Sequence, residues 1–173
     1  MNNSMNAECY AFTSDCKGKA NRLINEATVQ SRGKEMTYLA LWDTGAAITC
    51  ISKKVADELK LIPTGYITIL GSSGSARKPT YLVDIVLRNN VCVRGVRASE
   101  AEFGTQGIDM LIGMDIIGLG DFAVSNYENN TAFTFRIPSV KRTDYVAEIN
   151  NERLKAKIGT HGKGNTRKRH GSK

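Results

Sequence analysis

Asp43-Thr44-Gly45 follows directly on the apolar run Leu39-Ala40-Leu41-Trp42, and no second Asp-Thr-Gly occurs in the chain. A carboxylate at the end of an extended hydrophobic strand, held in a tight turn by a small hydroxyl residue and a glycine, is a costly place for a charge. Chemistry is the readiest explanation for that cost. One triplet per chain then constrains the rest, because a single carboxylate cannot perform paired-acid chemistry without a partner.

The surrounding pattern is one of short strands. Asn25 to Gln30 is an extended run, Arg32-Gly33-Lys34 a turn, and Glu35 to Trp42 a second strand with Met36, Tyr38, Ala40 and Trp42 on one face. Ala46 to Ile51 is apolar and partly β-branched, which predicts another strand. Ser52 is placed to cap a short helix over Lys53 to Leu59. Tyr66 to Leu70 and Thr80 to Leu87 flank Gly71-Ser72-Ser73-Gly74-Ser75 and predict a hairpin with a pliable tip. Val91 to Val96, Ile108 to Gly113 (an apolar run ending in glycine), Phe122 to Ser125 and Thr131 to Phe135 read as further strands, with a short helix from Met114 to Leu119. So many short strands between small turn residues predict an all-β fold, closed or nearly closed, with one or two short helices.

Three segments follow from composition. Residues 1–24 read as a polar, irregular N-terminal arm, 25–137 as the folded domain, and 138–173 as a basic C-terminal extension. That extension is expected to be helical from about Tyr145 to Ile158 and disordered from Gly159. The net charge of +7 belongs to the extension: residues 1–135 hold 13 basic and 14 acidic side chains, residues 136–173 hold 11 and 3. A nearly neutral body argues against nucleic-acid binding by the body itself. Arg167-Lys168-Arg169-His170 reads first as a solvated terminus, since the run is short and no aromatics interleave it; a contact with nucleic acid, a membrane or an acidic partner is the alternative.

Other signals are bland. No run approaches the roughly 18 to 20 apolar residues of a membrane span, and Met1 to Asn6 lacks the pattern of a secretory leader, so a cytoplasmic location is expected. Cys9, Cys16, Cys50 and Cys92 lack tight ligand spacing and read as reduced thiols. Cys9 and Cys16 also leave open a small disulfide loop or part of a metal site. Neither a metal nor a cofactor is expected: His161 and His170 stand in the basic tail, and the glycine stretches lack the Gly-Lys-Ser/Thr of a phosphate loop. Asp109 and Asp115 have no Thr-Gly after them and read as turn or helix-start residues.

Two copies of Asp43 brought face to face would form a working pair. Carboxylates in hydrogen-bonding distance cannot both stay ionised cheaply, so they share a proton. The ionised member takes a proton from a water held between them, and the protonated member polarises a peptide carbonyl. With one triplet per chain, the simple construction is a homodimer whose two-fold axis passes between the two Asp43 side chains.

Ala40-Leu41-Trp42-Asp43-Thr44-Gly45-Ala46 resembles the active-site signature of the retroviral-type (retropepsin-like) aspartic proteases, including their cellular and bacterial relatives. Leu111-Ile112-Gly113, followed by a short helix, resembles that family's second motif. Met114-Asp115 and Phe122-Ala123-Val124-Ser125 resemble the non-viral branch. The resemblance covers about residues 25 to 137. It implies a closed small β-barrel of the retropepsin-like acid protease type and an aspartic endopeptidase with Asp43 as the catalytic carboxylate of each subunit. Thr44, Gly45 and Ala46, buttressed by Leu111, Ile112 and Gly113, would support the active-site turn. Gly71, Ser72, Ser73 and Gly74 would form a flap over a peptide bound in extended form. Viral members commonly place an aspartate two residues after the triplet's glycine and an arginine just after the second-motif glycine, where they pair; the matching residues here are Ala47 and Met114. The alternative is a noncatalytic dimeric peptide-binding module with the same fold. A third reading makes the basic tail the main functional element and the body a dimerising scaffold.

Overall fold

The computed structural model describes residues 8–71, 74–104 and 107–161. Two compact units emerge, Met1–Val140 and Lys141–Lys173. The first holds strands β1 (Tyr10–Asp15), β2 (Ile24–Ser31), β3 (Lys34–Trp42), β4 (Cys50–Ile51), β5 (Gly65–Gly71), β6 (Gly74–Val86), β7 (Cys92–Glu100), β8 (Ile108–Ile112), β9 (Asp121–Ser125) and β10 (Ala132–Ile137). Helix α1 (Lys53–Glu58) follows β4, and α2 (Met114–Ile117) follows β8.

The expected all-β closed barrel is corrected. Among the described residues the strands form two sheets, one of seven in the order β2-β3-β8-β4-β7-β6-β5 and one of three in the order β1-β10-β9, and three α-helices make the fold a mixed α/β one. Strand content is readable in hydrophobic alternation, but which strands pair is a long-range property that alternation does not carry. Within the larger sheet β3 runs parallel to β8 and β4 parallel to β7, while β2 also pairs β6 over Thr28↔Val86, Val29↔Ile85 and Gln30↔Asp84.

Local chemistry explains the elements near the site. Arg32 (φ 50) and Gly33 (φ 76) both occupy the left-handed region between the paired residues Ser31 and Lys34. That two-residue geometry matches the twist of the strands it joins. On β3, Tyr38, Ala40 and Trp42 are buried, whereas Met36 at the strand's outer end is 41% exposed. Ser52 caps α1 by accepting a hydrogen bond from the Val55 N–H, and Val55, Ala56 and Leu59 face the core.

The polar N-terminal segment contributes more than an arm. Tyr10–Asp15 forms β1, antiparallel to β10, with Phe12 and Ser14 turned inward. Phe12 joins Trp42, Phe122, Phe133 and Phe135 in one aromatic cluster: Trp42 stacks on Phe122 at 5.5 Å and 4°, and Phe12 meets Trp42 edge-on at 5.5 Å. The indole Nε1–H donates to Asn25 Oδ1 (2.8 Å), and Asn25 Nδ2 donates to Ser14 Oγ (3.1 Å). These bonds satisfy polar groups that would otherwise be buried at a cost.

The second unit carries helix α3 (Tyr145–His161). Asp144 Oδ1 accepts from the Ala147 N–H (3.1 Å), and Lys141 and Arg142 pair with Glu148 and Asp144. Tyr145, Val146, Ile149 and Leu154 are exposed. Residues 162–173, which include the expected contact run Arg167 to His170, lie outside the described residues. No helix among the described residues is long and apolar enough to cross a membrane.

If β1 belongs to the core, Phe12→Ala should lower unfolding free energy by about 3 kcal/mol. The urea midpoint of the variant checks this; an unchanged midpoint would assign β1 to a dispensable arm.

Candidate active site

Asp43 leaves the end of β3 just as the strand loses its neighbour on one side. Its N–H donates to the Ile112 carbonyl (3.0 Å), so the first residue of the triplet is tied to the last residue of β8. Its carboxylate oxygen Oδ1 accepts from the Gly45 N–H (2.8 Å), and its carbonyl accepts from the Ala46 N–H (3.2 Å). The side chain is therefore fixed by its own turn. Asp43 is half-buried, while Thr44 and Gly45 are exposed at the tip. A Cβ on Gly45 would stand 3.2 Å from Asp43 Oδ1, so a side chain there would crowd the carboxylate.

The loop after the triplet is clamped against the second motif. Met114 N–H donates to the Ala46 carbonyl (2.8 Å), and Gly113 N–H to Thr49 Oγ1 (3.2 Å). A Cβ on Gly113 would lie 2.5 Å from the Ile48 carbonyl carbon and 2.6 Å from its oxygen. Only glycine permits that approach without moving the backbone. Of the sequence-derived candidates, Asp43, Ala46, Ile112 and Gly113 thus meet in one cluster. Leu111 lies in the same strand and pairs with Leu41 of β3 and Cys50 of β4.

Two residues of this cluster escape sequence reasoning. Thr49 is fully buried, and Asp115 in the first turn of α2 binds it twice: Thr49 N–H donates to Oδ2 (3.0 Å) and Thr49 Oγ1–H to Oδ1 (2.8 Å). Asp115 Oδ1 also accepts from the Ile116 N–H (3.1 Å). Asp115 is a helix-start residue, as its position suggests, but its main partners lie 66 residues away, and no local signal announces them. Cys50 next to Thr49 has its thiol pushed up to about 11, first by burial and then by the Asp115 carboxylate.

Gly71 and Gly74 are the last pair of the β5–β6 hairpin, which spans Gly65↔Thr80 to Gly71↔Gly74. Ser72 and Ser73, expected at its tip, lie outside the described residues. Arg77 of β6 stands over the Tyr66 ring of β5 at 4.5 Å. The hairpin's base, through Ile67 and Thr80, shares a cavity of about 410 Å³ with Ile48 of the Asp43 loop and Ile116 of α2.

A mixed fold with an Asp-Thr-Gly turn locked to an apolar-apolar-glycine strand is the retropepsin-like fold of the aspartic protease superfamily. The family model described as gag-polyprotein putative aspartyl protease matches residues 27–118, more than half of the chain, and the chain belongs to that family. The matched span runs from within β2 to the end of α2 and holds the whole cluster above. Solved structures with a similar fold include a retropepsin-like aspartic protease from Rickettsia conorii, at 14% identity and a TM-score of 0.47 over 75% of this chain and 97% of that one. The simian foamy virus (mac) protease aligns at 16% identity and 0.41, covering 56% of this chain and 92% of its own. The retroviral protease-like domain of Ddi1 from Leishmania major aligns at 17% and 0.40, covering 66% and 95%. No curated protein matches the sequence.

Asp115→Ala should destabilise the fold by about 1–2 kcal/mol in urea unfolding, since it removes the acceptor of two Thr49 donors. Thiol accessibility gives a second check. At about pH 8, iodoacetamide should label exposed Cys9 well before Cys50, whose raised pKa and burial leave almost no reactive thiolate. Labelling of both at one rate would mean the Thr49–Cys50 segment is open.

Proposed function

We propose that the protein is an aspartic endopeptidase acting as a two-fold homodimer, with Asp43 of each subunit as the catalytic carboxylate. The observation that carries this reading is the fixed turn: a half-buried carboxylate held by the Gly45 N–H, on a loop clamped to Ile112, Gly113 and Met114. Membership of an aspartyl protease family supports it.

In this reading the two turns meet at the symmetry axis and the paired carboxylates hold one proton and one water. The ionised Asp43 accepts a proton from the water as its oxygen attacks the scissile carbonyl. The other Asp43 donates its proton to the carbonyl oxygen, giving a tetrahedral diol. Return of a proton to the leaving amine breaks the C–N bond. Thr44, exposed at the tip, would meet its counterpart across the axis and hold the two turns together. Gly45 and Ala46 bring backbone close to the peptide, and the β5–β6 hairpin, with Gly71, Ser72, Ser73 and Gly74, closes over it as a flap. The substrate lies extended and bonds through its main chain. A reducing cytoplasmic setting suits four cysteines that form no disulfide among the described residues.

Cleavage of a diverse peptide library by purified protein, scanned over about pH 4 to 8, tests the proposal beside Asp43→Asn. The expected result is a bell-shaped rate profile for the wild type and a fall of about a thousandfold or more in the variant, with the dimer intact. A folded dimer that binds extended peptides and never cuts them would instead make the protein a noncatalytic peptide-binding module.

A further inference from the structure

The 410 Å³ cavity beside the site has a distinctive lining. Its walls come from three pieces close to the Asp43 turn: Ile48 from the loop after Asp43, Ile116 and Leu119 from α2 and its end, and Ile67 from the β5–β6 hairpin. These make an apolar interior. Its remaining wall is β7, which contributes two arginines, Arg94 and Arg97.

Residues three apart on a regular strand point to opposite faces. Here the alternation is broken. The pairing of β6 with β7 jumps from Val83↔Val96 to Ile85↔Val93, so β7 carries one extra residue, and Gly95 at that place has φ 66. Its N–H is taken by Asp84 Oδ1 (2.8 Å). This bulge lets Arg94 and Arg97 line one cavity while Val96 between them stays buried.

Both arginines are exposed, and among the described residues neither has a carboxylate partner. Elsewhere Arg136 pairs with Asp121 and Arg142 with Asp144. The cavity has one acid of its own, Asp115, and both of its oxygens already accept hydrogen bonds from Thr49 and Ile116. Two uncommitted guanidiniums against one occupied carboxylate leave the cavity net positive. An apolar interior with a positive rim fits a side chain with an aliphatic stem and an anionic end.

We propose that this cavity is a specificity pocket for an acidic residue of the substrate, glutamate above all, read by Arg94 and Arg97. The inference rests on the endopeptidase reading for its meaning as a cleavage preference, but the recognition itself needs only a bound peptide. Exposed charge pairs contribute at most about 1 kcal/mol each, so the preference is one of selection: about fivefold for glutamate over glutamine at one substrate position, weakening as salt is raised.

The experiment is a two-arm profile of one randomised peptide library. In the first arm wild-type protein and Arg94→Glu/Arg97→Glu cut the library, and the products are sequenced. In the second, immobilised Asp43→Asn protein, with and without the same two changes, retains peptides that are then sequenced. The proposal expects acidic residues enriched at one position in both arms, with the preference turned towards lysine by the charge reversal. Enrichment that is absent, or that survives the reversal, overturns it. Retention with acidic preference but no cleavage by the wild type would sustain the pocket and overturn the endopeptidase reading; cleavage without acidic preference would do the opposite. Should the double variant fail to fold, Arg97→Gln alone gives the same reading through a reduced glutamate preference.

Discussion

The backbone crossing at Gly113 and Ile48 is the constraint on which the rest of the site depends. Two chain segments, one after the Asp43 turn and one after β8, pass so close that a single methyl group at position 113 would overlap the Ile48 peptide. That approach brings Met114 N–H to the Ala46 carbonyl and Gly113 N–H to the Thr49 hydroxyl. It also sets α2 where Asp115 can reach back to Thr49. Opening the crossing would release each of these bonds together, because they share the same two segments. A carboxylate used for chemistry gains from such rigidity, since a small displacement of a reacting group is costly in rate.

Behind the turn the support is aromatic rather than polar. Trp42 immediately precedes Asp43, and its ring lies between Phe122 of β9, Phe12 of β1 and Phe135 of β10. The smaller sheet therefore packs directly on the residue that positions the triplet. Gly120 allows this sheet to close up, because a Cβ there would run into the Arg136 carbonyl and the Phe135 ring. Strand β1 and the hairpin of β9 and β10 lie at opposite ends of the chain and outside the span that matches the family model. The matched span thus holds the turn, and what flanks it supplies the packing against Trp42.

Local features were legible and long-range ones were not. The alternation of Tyr38, Ala40 and Trp42, the Arg32-Gly33 turn and the Ser52 cap are encoded by neighbours in sequence, and each appears where the pattern puts it. Tyr10–Asp15 did not read as a strand because only Phe12 and Ser14 face inward, too few to establish a period. Ala46 to Ile51 promised a strand and gives only Cys50–Ile51, since the backbone groups of Ala46 and Thr49 are already committed to Asp43, Met114 and Asp115. The division into two sheets and the bulge at Gly95 depend on pairings between distant strands. No residue near them carries that information alone.

The absence of charge at Ala47 and Met114 has a counterpart in the observed bonds. An ion pair at such a place must recover the desolvation of both partners before it stabilises anything. Here the link between the turn and α2 is made by main-chain bonds and by one carboxylate serving neighbouring N–H and O–H donors. Within the chain, the geometry of the turn is set by Gly113, Thr49 and Asp115. In the proposed dimer, association would then bring together two carboxylates already in position, and the ordering cost of pairing them would fall on the exposed tip at Thr44 rather than on the whole loop.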